Sequence, residues 1–102
     1  MTDRELLEMA AKAAGISIDP IDAMHDPSEW VCWNPLTDDG DESRLESRCG
    51  LNVLWGDSSV TVANYTSDVG CTEFFDEHGD DRQMARRTAG VRAAAEIGKV
   101  MP

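Results

Sequence analysis

The clearest hairpin in this chain reads LNVLWGDSSVTVAN over residues 51–64, and it decides the fold. Gly56-Asp57-Ser58-Ser59 has the composition of a tight turn, and apolar residues alternate with smaller or polar ones on either side of it. This pattern predicts two antiparallel strands. Their alternating residues are Leu51, Val53 and Trp55 in the first strand and Val60, Val62 and Asn64 in the second.

A third strand is predicted around residues 69–75, where it extends the sheet in the same antiparallel sense after a turn near Ser67-Asp68. Weaker signals surround this sheet. They predict a short strand at residues 16–18, a loop at 19–29, a short strand at 30–33 and a loop at 76–80.

Two helices are predicted from the residues that begin and end them. Thr2 and Glu5 form a capping box for the first helix, and Gly15 supplies the left-handed residue that ends it. The central helix begins within residues 37–41, whose side-chain oxygens accept hydrogen bonds from unpaired amides, and it ends at Gly50. We expect it to direct Leu45 and Cys49 inward and Glu42, Arg44, Glu46 and Arg48 outward.

The last helix is predicted at about residues 81–99, because Asp80 and Asp81 complement the positive end of its dipole and its middle is rich in alanine. Arg92 and Glu96 are spaced to pair across one turn. The inward stripe is predicted as Met84, Thr88, Val91, Ala94 or Ala95, and Gly98. The elements together predict an α+β fold in a single domain spanning 1–102. An antiparallel sheet of about three strands packs against N-terminal, central and C-terminal helices.

Charge is distributed very unevenly along the chain, whose net charge is −11. Residues 1–81 carry nineteen carboxylates and four basic side chains, a net of −15, whereas residues 82–102 carry five basic side chains and one carboxylate, a net of +4. A strongly acidic body repels nucleic acid and membrane surfaces and attracts basic partners. We therefore expect no direct binding of nucleic acid and no membrane association.

Composition also points to a compartment. No apolar run approaches the ~20 residues that span a bilayer, and the first residues lack the basic and apolar regions of a signal peptide. Cys32, Cys49 and Cys71 are odd in number and widely spaced, which is typical of reduced thiols rather than of a disulfide framework. These features predict a soluble cytoplasmic protein.

Three segments resemble a family of small uncharacterised bacteriophage and prophage proteins. They are the opening helix TDRELLEMAAKAAG at residues 2–15, the motif WNPLTDDGD at 33–41 and the closing helix VRAAAEIGK at 91–99, about a third of the chain. After the central motif the family continues with a helix rich in alanine and leucine, whereas residues 42–47 here are more polar. The resemblance implies a viral or prophage origin and no particular activity.

Metal and cofactor motifs are weak. Residues 38–42 read DDGDE, but an EF-hand needs oxygens at alternate positions, a glycine at the sixth and a glutamate at the twelfth. His25 and Cys32 are seven residues apart, as are Cys71 and His78, and neither is the close pair typical of structural zinc. We expect no metal and no cofactor. Buried cysteines and solvated histidines are the favoured interpretation.

Catalysis has one local candidate, in which Cys71 is the nucleophile and His78 the base, with Asp76 or Asp80 orienting it. The spacing is unremarkable for an acidic turn, and no glycine-rich phosphate loop precedes a helix. We therefore expect no enzymatic activity.

Trp30, Trp33 and Trp55 make up half of the six aromatic residues. In a chain with few other large side chains, core packing is the default for tryptophan. We expect Trp33 in the core and Trp30 at the surface, where it can anchor a partner.

The leading hypothesis is a phage-encoded acidic protein that inhibits a host nucleic-acid-binding defence complex in the bacterial cytoplasm. Carboxylates on a rigid surface can occupy arginine and lysine sites meant for phosphates, an anti-CRISPR-like action without catalysis. The rival hypothesis is a phage accessory or assembly protein that works as a homo-oligomer. A simpler interpretation of the negative charge is that it serves solubility alone. The predicted partner-binding residues are Asp38, Asp39, Asp41, Glu42, Asp76, Glu77, Asp80, Asp81 and Trp30.

Overall fold

A computed structural model describes residues 2–15, 34–66 and 68–101 of the chain. The predictions made for residues 16–33 lie outside the described residues. They comprise the two short strands, the loop between them and the placements of His25, Trp30, Cys32 and Trp33.

Within the described residues, three α-helices form where end signals predict them: α1 (Asp3–Ala14), α2 (Asp39–Cys49) and α3 (Arg82–Lys99). Each begins at a side chain that accepts a hydrogen bond from an amide of the first turn. Gly15 and Gly50 follow α1 and α2 with φ of 70° and 64°, a conformation that favours glycine. The capping side chains are Thr2 for α1, Asp38 for α2 and Asp81 for α3.

The sheet contains three antiparallel strands in the order β1-β2-β3. They are β1 (Asn52–Trp55), β2 (Ser59–Asn64) and β3 (Val69–Phe74). In the register, Val62 of β2 lies between Val53 and Cys71, and Val60 lies between Trp55 and Glu73. The predicted α+β class and the hairpin are confirmed. Residues 76–80 were predicted as a loop. The first three of them instead belong to a short 3-10 helix (Phe75–His78), which is followed by α3.

The helices pack on one face of the sheet. Val60 and Val62 are fully buried on that face, as their alternation predicts, and α3 lies across β2 and β3. α1 and α2 pack in turn against α3, so α3 is covered on more than one side. The core cluster takes apolar side chains from every helix and from the sheet, among them Ala10, Leu45, Phe75, Ala89 and Val91.

Two side chains that were predicted to be buried are exposed, and the position of α3 between the sheet and the other helices explains the first of them. Met84 was predicted to point inward, but it is 42% exposed, and Ala85 and Ala89 are the buried residues in that part of the helix. Small side chains are needed there because helices pack closely from two directions. Trp55, expected in the core by default, is 48% exposed at the end of edge strand β1, where its ring lies 6.2 Å from the Phe75 ring.

Candidate functional site

Internal contacts occupy every basic side chain of the protein. The chain has nine lysines and arginines, and all of them lie within the described residues. Six form ion pairs with carboxylates, namely Arg4, Arg44, Arg86, Arg87, Arg92 and Lys99. Lys12 and Arg48 donate to main-chain carbonyls, and Arg82 lies over the Phe75 ring. The basic face of the last helix therefore consists mainly of internal ion pairs.

The first predicted acidic cluster is largely consumed by the fold. Asp38 Oδ2 accepts from the Asp41 amide at 2.9 Å as the cap of α2, and Asp39 pairs with Arg87 at 2.6 Å. Asp41 is buried, where it accepts from the Asn34 amide and from Arg44. This cluster holds the start of α2 in place, and it presents little free carboxylate to a partner.

The prediction that Glu42 and Glu46 face solvent is wrong. Glu42 is 1% exposed and Glu46 is 9% exposed, because this side of α2 docks on α3. Arg86 of α3 donates to both carboxylate oxygens of Glu46 at 3.0 Å and lies 3.4 Å from Glu42 Oε2. The partner-binding role predicted for Asp41 and Glu42 has no surface on which to act in this structure.

Glu42 lies in a setting that disfavours its charge. Its Oε1 has no hydrogen-bond partner among the described residues. Burial, followed by the hydrogen bond and negative charge of Glu46, raises the pKa of the Glu42 carboxyl from 4.5 to about 9. Glu42 is therefore a neutral carboxylic acid at pH 7, held between Glu46 and the backbone of Gly90.

The second predicted acidic cluster remains at the surface. Asp76 and Glu77 are exposed on the 3-10 helix, and Asp80 and Asp81 are exposed just after it. Asp81 caps α3 through a 3.0 Å hydrogen bond from the Met84 amide. The carboxylates of Asp76, Glu77 and Asp80 form no ion pair with any described residue, so their charge is available to a partner.

A groove of about 430 Å³ opens beside this cluster. We call it the acidic groove; its lining consists of Asp57, Ser58, Phe74, Phe75, Asp76, Asp80 and Arg82. Asp57 belongs to the turn of the first hairpin. It reaches the groove because Ser59, two residues further on, pairs with Phe74 in the sheet. Phe74 is 48% exposed. Exposed aromatic side chains are enriched at protein interfaces.

A second polar cluster surrounds Glu73, which the sequence analysis did not identify as a functional residue. Glu73 is 6% exposed. Its Oε2 accepts from Arg92 at 2.9 Å and from the Cys71 thiol at 3.4 Å, and its Oε1 lies 2.9 Å from His78 Nε2. Glu73 therefore replaces Glu96 as the partner of Arg92, and Glu96 pairs with Lys99. His78, expected in solvent, has a side chain only 15% exposed.

This arrangement does not activate the cysteine. Burial, and then the negative charge of Glu73, raises the pKa of the Cys71 thiol to about 11. A nucleophilic cysteine needs a lowered pKa and a base that accepts its proton, whereas here the thiol donates to a carboxylate that is shared with His78. Asp76 and Asp80, the predicted orienting residues, instead line the acidic groove.

Cys71 is expected to react with iodoacetamide at pH 8 about 100-fold more slowly than an unhindered thiol, because a pKa two units higher leaves that much less thiolate. Glu73→Gln is expected to accelerate the reaction by removing a negative charge beside the thiol. Peptide mass spectrometry measures each cysteine separately, and Cys49, whose pKa is raised by burial alone, is the internal control. Rapid alkylation of Cys71 in the unmodified protein would restore the nucleophile hypothesis.

Residues 2–15, 34–66 and 68–101 contain no group of three histidine, cysteine, aspartate or glutamate side chains able to hold a metal ion, and the His25 and Cys32 pair lies outside these ranges. Within the same ranges, no helix has the length and apolar character needed to cross a membrane. Comparison of the chain with known protein families, with curated proteins and with solved structures finds no match.

Two residues of these sites escape sequence reasoning for different reasons. Glu73 follows Cys71 by two residues in β3, so strand alternation indicates that both face the helices. Strand alternation is therefore the sequence signal that could have placed Glu73 beside Cys71. Asp57 reads as an ordinary turn residue, and only the pairing of β2 with β3 brings it beside Asp76 and Asp80.

Proposed function

We propose that this protein is a non-catalytic acidic inhibitor that occupies a basic, nucleic-acid-binding groove on a host defence complex, an anti-CRISPR-like role for a phage-encoded chain. One observation carries the proposal. Internal contacts occupy all nine basic side chains, whereas the carboxylates of Asp57, Asp76, Glu77 and Asp80 have no cationic partner among the described residues.

The two acidic clusters differ in what they can offer to a partner. Asp39 and Asp41 already pair with arginines, so a partner has to break existing contacts to use them. The carboxylates of the acidic groove have no ion pair with a described residue that a partner would have to break. Charge-assisted hydrogen bonds to arginine or lysine are the strongest contacts available to the groove, and the exposed ring of Phe74 adds apolar area. We therefore assign the proposed interface to the acidic groove.

The proposal predicts capture of a host nucleic-acid-binding complex by the tagged protein from bacterial lysate at low salt, with release by moderate salt. The triple variant Asp76→Asn, Glu77→Gln, Asp80→Asn is expected to reduce capture at least tenfold, because it removes three unpaired charges. Asn suits position 80, since Asp80 has a φ of 62° and Asn tolerates that conformation. Mass spectrometry of the eluate identifies and quantifies the bound complex.

A matched control removes three negative charges from the exposed side of α1 instead: Asp3→Asn, Glu5→Gln and Glu8→Gln. Equal loss of capture in both triple variants would show that net charge alone governs binding, and would contradict the assignment to the acidic groove. Failure of the unmodified protein to capture any such complex would overturn the proposed function.

The homo-oligomer alternative has one observation in its favour. Leu54 is 49% exposed on the sheet face opposite the helices, next to Thr61 in the register. Association through such a face depends little on salt, because it buries apolar area rather than charge. Salt-insensitive self-association of the bait, without a bound host complex, would favour this alternative.

A further inference from the structure

One arginine of the protein itself lines the acidic groove and lies over one of its aromatic rings. The guanidinium carbon of Arg82 lies 4.8 Å from the centroid of the Phe75 ring, the geometry of a cation–π contact. Arg82 is the first residue of α3, and its side chain is exposed. It makes no ion pair with any described residue, although Asp57, Asp76 and Asp80 line the same groove.

The groove therefore combines two features that suit a guanidinium group. Phe74 provides exposed aromatic surface beside the Phe75 ring that Arg82 covers, and three aspartates that line the same groove provide acceptors. A guanidinium is planar, stacks on aromatic rings and donates two parallel hydrogen bonds to a carboxylate. A lysine ammonium is a strongly hydrated point charge that does neither as well. The single positive charge of Arg82 is smaller than the combined negative charge of the three aspartates, so the groove keeps a net negative charge.

We propose that the acidic groove is a receptor for an arginine side chain of a basic partner, and that Arg82 is an internal occupant that the partner's arginine displaces. The proposal rests on the proposed function and gives it a chemical specificity: arginine rather than lysine. The burial of Phe75, which is 5% exposed, keeps the ring fixed while Arg82 moves away on its flexible side chain.

Isothermal titration calorimetry at low salt tests this with two blocked peptides, one with three arginines spaced by glycines and the other with three lysines. The arginine peptide is expected to bind about tenfold more tightly, since both carry the same charge and only one stacks. Arg82→Gln is expected to raise the affinity for the arginine peptide about fivefold. Arg4→Gln is the control, because it removes an equal charge from the exposed face of α1.

Nuclear magnetic resonance provides a direct readout of displacement. The guanidinium of Arg82 lies over a ring, so we expect ring-current shifts of its side-chain resonances, and titration with the arginine peptide is expected to return them toward random-coil values. Equal affinities for the two peptides, or equal effects of Arg82→Gln and Arg4→Gln, would overturn the proposal.

The outcomes separate this inference from the proposed function. If both peptides bind equally and Asp76→Asn with Asp80→Asn abolishes both, arginine selectivity fails, and recognition of basic partners by charge stands. If neither peptide binds while a host complex is still captured from lysate, the receptor assignment fails and the proposed function stands.

Discussion

Replacing Gly98 with alanine is expected to destabilise the protein by about 3 kcal/mol. Gly98 is where α3 contacts α1, and an added methyl group collides with the carbonyl oxygen of Met9 and lies 2.8 Å from its carbonyl carbon. The obstacle is backbone rather than a flexible side chain, so relief requires the two helices to move apart. Core side chains of α1, including the fully buried Ala10, then lose their contacts.

Urea denaturation followed by circular dichroism measures this loss as a lower midpoint with an unchanged slope. Gly40→Ala in α2 is the matched control. Its added methyl group meets only the side-chain ends of Asp38 and Arg44, at 3.3 and 3.4 Å, so we expect a neutral or slightly stabilising effect from helix propensity. A loss below about 1 kcal/mol for Gly98→Ala would contradict the close packing of α1 and α3.

Glu42→Gln is expected to stabilise the protein increasingly as pH rises. The pKa of Glu42 is about 9 in the folded protein against an ordinary 4.5, so the folded state holds a proton that the unfolded chain releases. This group's favourable contribution is complete below pH 4.5 and is lost as pH rises through 9. Glutamine has no such proton and retains a donor toward Glu46. Because a single proton is released, the advantage of the variant is expected to grow with pH by at most about 1.4 kcal/mol per pH unit.

Unfolding free energies measured at several pH values test this expectation. The charged groups that face Glu42 are Glu46, Asp39 and Arg86, and all three remain in the variant. Glu77→Gln is the control, since Glu77 is exposed on the 3-10 helix, and its pH profile is expected to follow that of the unmodified protein. Parallel profiles for Glu42→Gln and the unmodified protein would show that Glu42 is not a buried neutral acid.

Contacts within a few residues were predictable because their determinants are adjacent in the chain. Thr2, Asp38 and Asp81 cap their helices through amides three residues ahead, and this geometry depends only on the local backbone. The hairpin of β1 and β2 follows in the same way from alternation around a four-residue turn. The exposure of Asp76 and Asp80 was predicted for a similar reason, since turn residues lie at the surface.

Partner choice across long separations was not predictable. Arg86 and Glu46 are 40 residues apart, and they meet only because α2 docks on α3. Helical spacing suggested that Arg92 pairs with Glu96, but β3 brings the buried carboxylate of Glu73 to Arg92 instead. An ion pair stabilises a buried carboxylate more than an exposed one. Water already solvates the exposed group, whereas the buried group has lost that solvation.

The chain's local composition thus specified the elements, their caps, the α+β class and an acidic body. Packing in three dimensions selected which charges remain exposed and without an ion pair among the described residues. It buried Glu42 and Asp41, gave the basic side chains internal contacts and brought Asp57, Asp76 and Asp80 to one groove. The physical reason is that capping and alternation act over a few residues, whereas burial and ion pairing depend on which distant surfaces exclude water together.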